Sequence, residues 1–255
     1  MRICDTHVHS FRSFVGADDM TLKNMESRAK RIGVDTIAIT DHLMSERDVD
    51  ELLTTRDDIL SFRSGKPGVN VLFGVEVCEV NHEGMTLLDE ELIRHLNLEL
   101  VIGGVHETHV QQGASLEEVA VMQHRHHMMM MENPLISILV HPWWLDREEF
   151  TRLSLTWPEN MSFIPEELTV ELAHASRRTH TFIEISTMSG LCNRDASAQF
   201  RNDLQRYYQL LMNEGAYFAV GTDSHQISEM ESIASALEMV KKLQIPEDRF
   251  WQPSF

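Results

Sequence analysis

Short apolar runs alternate along the chain with longer stretches whose apolar positions recur at three- and four-residue spacing. The short runs predict strands over residues 3–8, 35–40, 69–77, 98–105, 136–140, 181–186 and 217–222. The longer stretches predict helices over 21–32, 48–62, 88–95, 115–131, 165–179, 196–213 and 228–243. The punctuation agrees. Gly33 and Gly215 follow helices as caps, Ser115 with Glu118 three residues on makes a capping box, and Asn133-Pro134 stops the fourth helix. Residues 143–164 hold neither period and read as an active-site loop. Seven strand–helix units with strands apolar throughout predict a parallel sheet covered on both faces. Right-handed crossovers would either close it into a barrel or wind it doubly.

The polar residues decide between those two outcomes. Strand by strand, the chain carries Asp5, His7 and His9, then Asp41 and His42, Glu76, His106, His141, Glu184, and finally Asp223 and His225. In a barrel the C-terminal ends of all strands converge on one face, whereas in an open sheet they spread along a crevice. Seven sets of metal-capable residues in register with seven strand ends favour closure. His7 and His9 are two apart, so on a strand both imidazoles face the same way and form a chelate. Six histidines with Glu76 and Asp223 exceed the four ligands of a single tetrahedral zinc, which implies at least two metals.

Composition narrows the picture further. With 255 residues the chain has the length of one α/β barrel, and its 42% hydrophobic and 24% charged residues exclude bulk disorder. The formal net charge of −18 repels phosphate backbones, so nucleic acid is not an expected partner. A small anionic substrate remains compatible, because a bound metal reverses the local field. Cys4, Cys78 and Cys192 are too few and too scattered for a disulfide framework and read as reduced thiols. No apolar run approaches the ~18 residues of a membrane span, and the first residues, from Met1, lack the apolar core of a signal peptide. The expected compartment is therefore the cytoplasm.

The motifs Asp5-Thr-His7-Val-His9-Ser, Ile39-Thr-Asp41-His42, Gly74-Val-Glu76, Gly104-Val-His106-Glu107, Val140-His141-Pro142 and Gly221-Thr-Asp223-Ser-His225 resemble the PHP family, the polymerase and histidinol phosphatase superfamily. The resemblance runs from residue 5 to 225. It implies a distorted seven-stranded (β/α)7 TIM-like barrel, one hydrolase domain over 1–255, with two or three divalent metal ions drawn from zinc, manganese and iron. Carried over by position, His7, His9, Glu76 and Asp223 would hold one metal. Glu76, as a bridge, with His106 and His141 would hold a second, and His42 with His225 a third. A further ligand usual soon after the first motif has no histidine here, and Asp18 is the candidate in its place.

The implied activity is hydrolysis of a small phosphate ester, a monoester before a diester, by a metal-bound hydroxide. Asp223, His225 or a metal-bound water would protonate the leaving group. Arg194, in the loop after the sixth strand, would take the phosphate, with Arg12 as a second choice. Asp5 and Asp41 would orient ligand imidazoles. Two other readings use the same residues: an amide or lactone hydrolase, although no strand-end lysine offers a bridge, and a non-catalytic module of the polymerase type. His109 reads as a pocket-rim residue, and Trp143-Trp144 as an apolar wall or a packed anchor. His124, His126 and His127 fall on the helix beside the core-filling Met128 and Met131, with incidental metal binding open to them. His82, His95, His174 and His180 read as surface.

Overall fold

The computed structural model describes residues 2–79, 81, 83 and 85–253. His82 and Met1 lie outside the described residues. In chain order the elements are β1 (Cys4–Val8), α1 (Leu22–Ile32), β2 (Thr36–Ile39), β3 (His42–Leu43), α2 (Val49–Ser64), β4 (Asn70–Cys78), α3 (Glu90–Leu96) and β5 (Leu100–Gly104). They continue with α4 (Leu116–Glu132), β6 (Ile138–Leu139), α5 (Arg147–Arg152), α6 (Glu166–Thr179), β7 (Phe182–Ser186), α7 (Ala198–Asn213), β8 (Phe218–Gly221) and α8 (Ile233–Leu243). The helix caps follow the sequence: Thr21 accepts from the Asn24 amide, Gly33 takes φ 77°, and Ser115 and Glu118 complete their capping box.

The strands pair in parallel in the order β1-β2-β4-β5-β6-β7-β8. The two-residue β3 prolongs β2 along β4 and sets His42 level with Glu76. A seam between β8 and β1 brings the ends of the sheet together. There the Asp223 amide donates to the His7 carbonyl (2.8 Å), the His9 amide to that of Ser224 (3.1 Å), and the Thr6 hydroxyl to that of Val220 (3.0 Å). The result is a near-closed barrel of seven parallel strands in a single domain, as expected. Among the described residues no helix is long and apolar enough to cross a membrane.

Period-two alternation divides each strand between two environments. Ile37, Ile39, Val71, Phe73 and Val101 join the large core beneath the helices. Their alternates Ala38, Leu72, Leu100, Ile102, Ile138 and Ala219 form a separate apolar plug inside the barrel. Further along that inward face the apolar residues give way to Glu76 on β4, Glu184 on β7 and His7 on β1, all with no solvent exposure.

Residues 143–164 are less irregular than their sequence suggests, because α5 lies within them, capped by the Asp146 carboxylate accepting from the Glu149 amide. Only six residues long, this helix is too short for a periodic pattern to register. Pro165 is the N-cap of α6 rather than part of its first turn.

Two inward glycines make room for the polar layer. A methyl on Gly104 would lie 2.7 Å from Glu76 Oε1, and one on Gly221 would lie 1.8 Å from Glu184 Oε1 and 2.8 Å from the His7 Cβ. Gly221→Ala should therefore force the seam apart and lower the unfolding free energy by about 1–3 kcal/mol. Urea titration checks this; a wild-type midpoint would mean that the barrel seam yields without cost.

Candidate functional site

Glu76 sits at the centre of the polar layer. Its Oε2 lies 3.1 Å from His7 Nε2, 3.4 Å from His9 Nε2 and 3.1 Å from His42 Nδ1. Its Oε1 lies 2.9 Å from His141 Nε2 and 3.3 Å from His106 Nε2. Asp223 Oδ1 adds a second carboxylate, 3.4 Å from His7, 3.3 Å from His9 and 3.5 Å from His225. The structure thus brings together the six strand-end histidines, Glu76 and Asp223. His141 and Asp223 adopt left-handed backbone (φ 29° and 56°), a strain of order 1–3 kcal/mol of the kind that persists at functional sites.

The electrostatics follow from burial and crowding. Burial opposes an ionised Glu76, yet His42, His7 and His106 outweigh it and hold the carboxyl well below its usual range. Burial likewise opposes a charge on His7, but Glu76, Asp223 and Glu184 raise its pKa well above the ordinary imidazole value. For His42 burial prevails over Glu76 and brings the ring down to about 3, and His225 is brought down to about 4 in the same way despite Asp223. Asp223 is held below the usual carboxylate range: burial works against this, and His7 and His9 outweigh it.

The donor set fits divalent cations. His7 Nε2 and His9 Nε2 face each other at 3.1 Å, and at most one of the two can carry a hydrogen into that gap. Buried ring nitrogens His9 Nδ1, His106 Nδ1 and His141 Nδ1 have no hydrogen-bond partner. No Lys or Arg pairs with Glu76 or Asp223 among the described residues. Groups of donors within 4.8 Å of one another form at His7/His9/Glu76, Glu76/His106/His141, His9/His42/His225 and His42/Cys78/His106. A carboxylate with imidazoles converging on both oxygens has the form of a bridge between two cations.

Other expectations change. Asp18 is exposed on a turn and belongs to none of the donor groups; the chain there turns Phe14 toward the site instead, 5.0 Å from the His42 ring. Among the described residues neither Asp5 nor Asp41 hydrogen-bonds an imidazole ring, although Asp5 accepts from the His7 amide (3.4 Å). Asp5 accepts from the Thr222 amide (2.9 Å) and hydroxyl (2.7 Å), which ties the seam, and Asp41 accepts from the Ser10 amide and hydroxyl. The orienting role falls to Glu184, whose Oε1 lies 3.0 Å from His7 Nδ1 and whose Oε2 accepts from the His141 amide (2.8 Å). Arg12 is tied to Glu51 and Asp58. Trp143 is buried beside His127 as an anchor.

Cys78, expected as an ordinary reduced thiol, also joins the donor layer. It stands two residues beyond Glu76 on β4, hence on the same face, with Sγ 3.7 Å from His42 Nδ1. That spacing was the available signal.

Over the cluster opens a cavity of about 510 Å³. His42, His106, His141, Asp223 and His225 reach into it, Phe14, Met44 and Trp144 wall it, and Arg194 stands on its border. A larger cavity of about 640 Å³, lined by Met161, Asp203 and Tyr207 among others, touches none of these groups.

Comparison with known proteins places this geometry. The PHP domain family model matches residues 5–243. A chain named "probable phosphatase" from Clostridium novyi is 24% identical over 258 residues, covering 96% of this chain and 91% of that one. Another of that name from Acetivibrio thermocellus is 22% identical over 250 residues, covering 96% and 88%. Among solved structures, the histidinol phosphate phosphatase of Lactococcus lactis, crystallised with zinc, L-histidinol and phosphate, superposes with a TM-score of 0.66 at 17% identity, covering 96% of this chain and 95% of that one. A candidate histidinol phosphatase from Listeria monocytogenes gives 0.65 at 12% identity, covering 89% and 97%. With a match across nearly its whole length, the chain belongs to the PHP domain family.

Proposed function

We propose that this PHP-family phosphoesterase hydrolyses a small phosphomonoester in the cavity above Glu76. The observation that carries the reading is the convergence of imidazoles on both oxygens of one buried carboxylate, at the floor of a cavity bordered by Arg194. His7, His9, Glu76 and Asp223 would hold one cation, Glu76 with His106 and His141 a second, and His42 with His225 a third; zinc, manganese and iron suit these donors. When bound, such cations supply positive charge to phosphoryl oxygens and lower the pKa of water.

The chain's own groups do the rest. Arg194 offers a planar fork to the phosphate oxygens. Glu184 fixes the His7 ring and the His141 backbone. Asp223, held ionised and accepting from the Ser189 hydroxyl, takes the proton of the attacking water at Oδ1. Water oxygen bonds to phosphorus, the ester P–O bond breaks, and the proton passes to the departing alkoxide. His225, neutral at neutral pH and 3.5 Å from Asp223 Oδ1, would relay that proton only in protein whose third cation position is empty, since its Nε2 cannot serve both. Phe14, Met44 and Trp144 offer the leaving group an apolar wall. Unpaired thiols at buried Cys4 and Cys78 suit a reducing, cytoplasmic setting.

Phosphate release from a panel of small phosphomonoesters tests the reading. Activity should vanish on chelation and return with zinc or manganese, and Asp223→Asn should cut kcat by about 100-fold or more. Metal-replete protein that releases no phosphate from any monoester would contradict the reaction class. Arg194→Ala should raise KM about tenfold or more, since charge-assisted hydrogen bonds contribute about 1.5–3 kcal/mol, and should change kcat far less. An unchanged KM would remove Arg194 from the phosphate site.

A further inference from the structure

Beside the Glu76 cluster lies a second group of donors that shares no residue with it. Glu79 follows β4, His109 lies in the segment between β5 and α4, and His126 sits in the middle of α4. Their ligand atoms all fall within 4.8 Å of one another. Glu79 and His126 are buried, and the His109 side chain keeps only 8% of its surface. His109 takes φ 50°, so the backbone bends out of its ordinary range where it delivers this imidazole.

The geometry is that of a cation site. His109 Nε2 lies 3.5 Å from Glu79 Oε1. Two donors on one zinc stand roughly 3.3–3.5 Å apart when bonds of about 2.0–2.2 Å meet at the tetrahedral angle. The His109 and His126 rings lie edge to face with centroids 4.8 Å apart, close enough to share one partner. Glu79 Oε1 accepts from the amides of His106 (2.8 Å) and Glu107 (2.8 Å), and Oε2 accepts from the His106 amide at 3.1 Å, which leaves Oε2 one lone pair for a further partner. An ion pair between Glu79 and His109 needs no third donor, yet α4 brings a wholly buried imidazole to the same point.

We propose that Glu79, His109 and His126 form a further divalent-cation site, distinct from the catalytic cluster, that binds zinc through two imidazoles and one carboxylate. This donor set is one zinc accepts readily, and three protein ligands leave the fourth position to water. The site ties the end of β4, the segment after β5 and α4 to one point. Because Glu79 also holds the His106 amide, zinc there steadies the backbone that carries His106 into the cavity. It therefore acts on the cluster through position, not by touching substrate.

Zinc content after dialysis, measured on folded wild type, His109→Gln, His126→Gln and the double variant, tests the proposal. The comparison is by difference, so it holds whatever number of cations the Glu76 cluster binds. Each single variant should lose one equivalent, and the double variant should lose one and not two. Wild-type zinc content in the folded variants would overturn the proposal. Should the variants fail to fold, zinc-edge anomalous diffraction from wild-type crystals decides instead. A peak bonded to Glu79, His109 and His126 supports the site, and its absence from zinc-replete crystals overturns it.

Discussion

An ionised carboxylate with no access to water has to be matched by positive charge, and Glu76 sets that demand for the whole molecule. Its two oxygens face five imidazoles from four different segments, and no Lys or Arg pairs with it among the described residues. Leaving a buried charge uncompensated costs several kcal/mol. Imidazoles alone meet the demand poorly, because burial above all, with the neighbouring rings adding to it, disfavours a charge on His42 and His225. Cations between the rings would answer the carboxylate and let every ring stay neutral. The barrel follows from the same need, since only convergent strand ends deliver so many donors to one carboxylate.

Around that centre the fold spends its irregularities. Glycine at 104 and 221 admits the carboxylates where any side chain would collide. Left-handed backbone at His141 and Asp223 turns two ligand candidates inward. The seam between β8 and β1 is closed by Asp5 and Thr222 next to His7, so barrel closure and site geometry depend on the same few residues. The apolar plug of Leu72, Leu100, Ile102 and Ile138 seals the barrel below, which keeps the local dielectric low and the electrostatic effects large.

Much of this was legible in the sequence because strands obey a period of two. Apolar runs ending in His, Asp or Glu pointed to the barrel and to the convergence of donors on one face, and the capping box at Ser115 placed α4. What failed were readings that depend on side-chain direction across turns or between distant elements. Asp18 sits in a turn where no period fixes orientation, and Phe14 occupies the approach to His42 instead. Asp5 lies on the inward face as supposed, but its neighbour there is Thr222 and not an imidazole, which only the packing of β8 on β1 decides. Glu184 was visible as a strand-end carboxylate, while its contact with His7 is a product of barrel closure. The meeting of Glu79 with His126 depends on the rotation of α4 against the barrel, which no local spacing encodes.

The central proposal is that Glu76 would join two cations, and metal stoichiometry tests it most directly. Glu76→Gln keeps the shape of the side chain but removes its charge and one of its two oxygens. His141→Ala removes a ligand candidate from one side only. Metal analysis of both folded variants against wild type should show Glu76→Gln with fewer equivalents than His141→Ala. A wild-type metal count in Glu76→Gln would contradict the account.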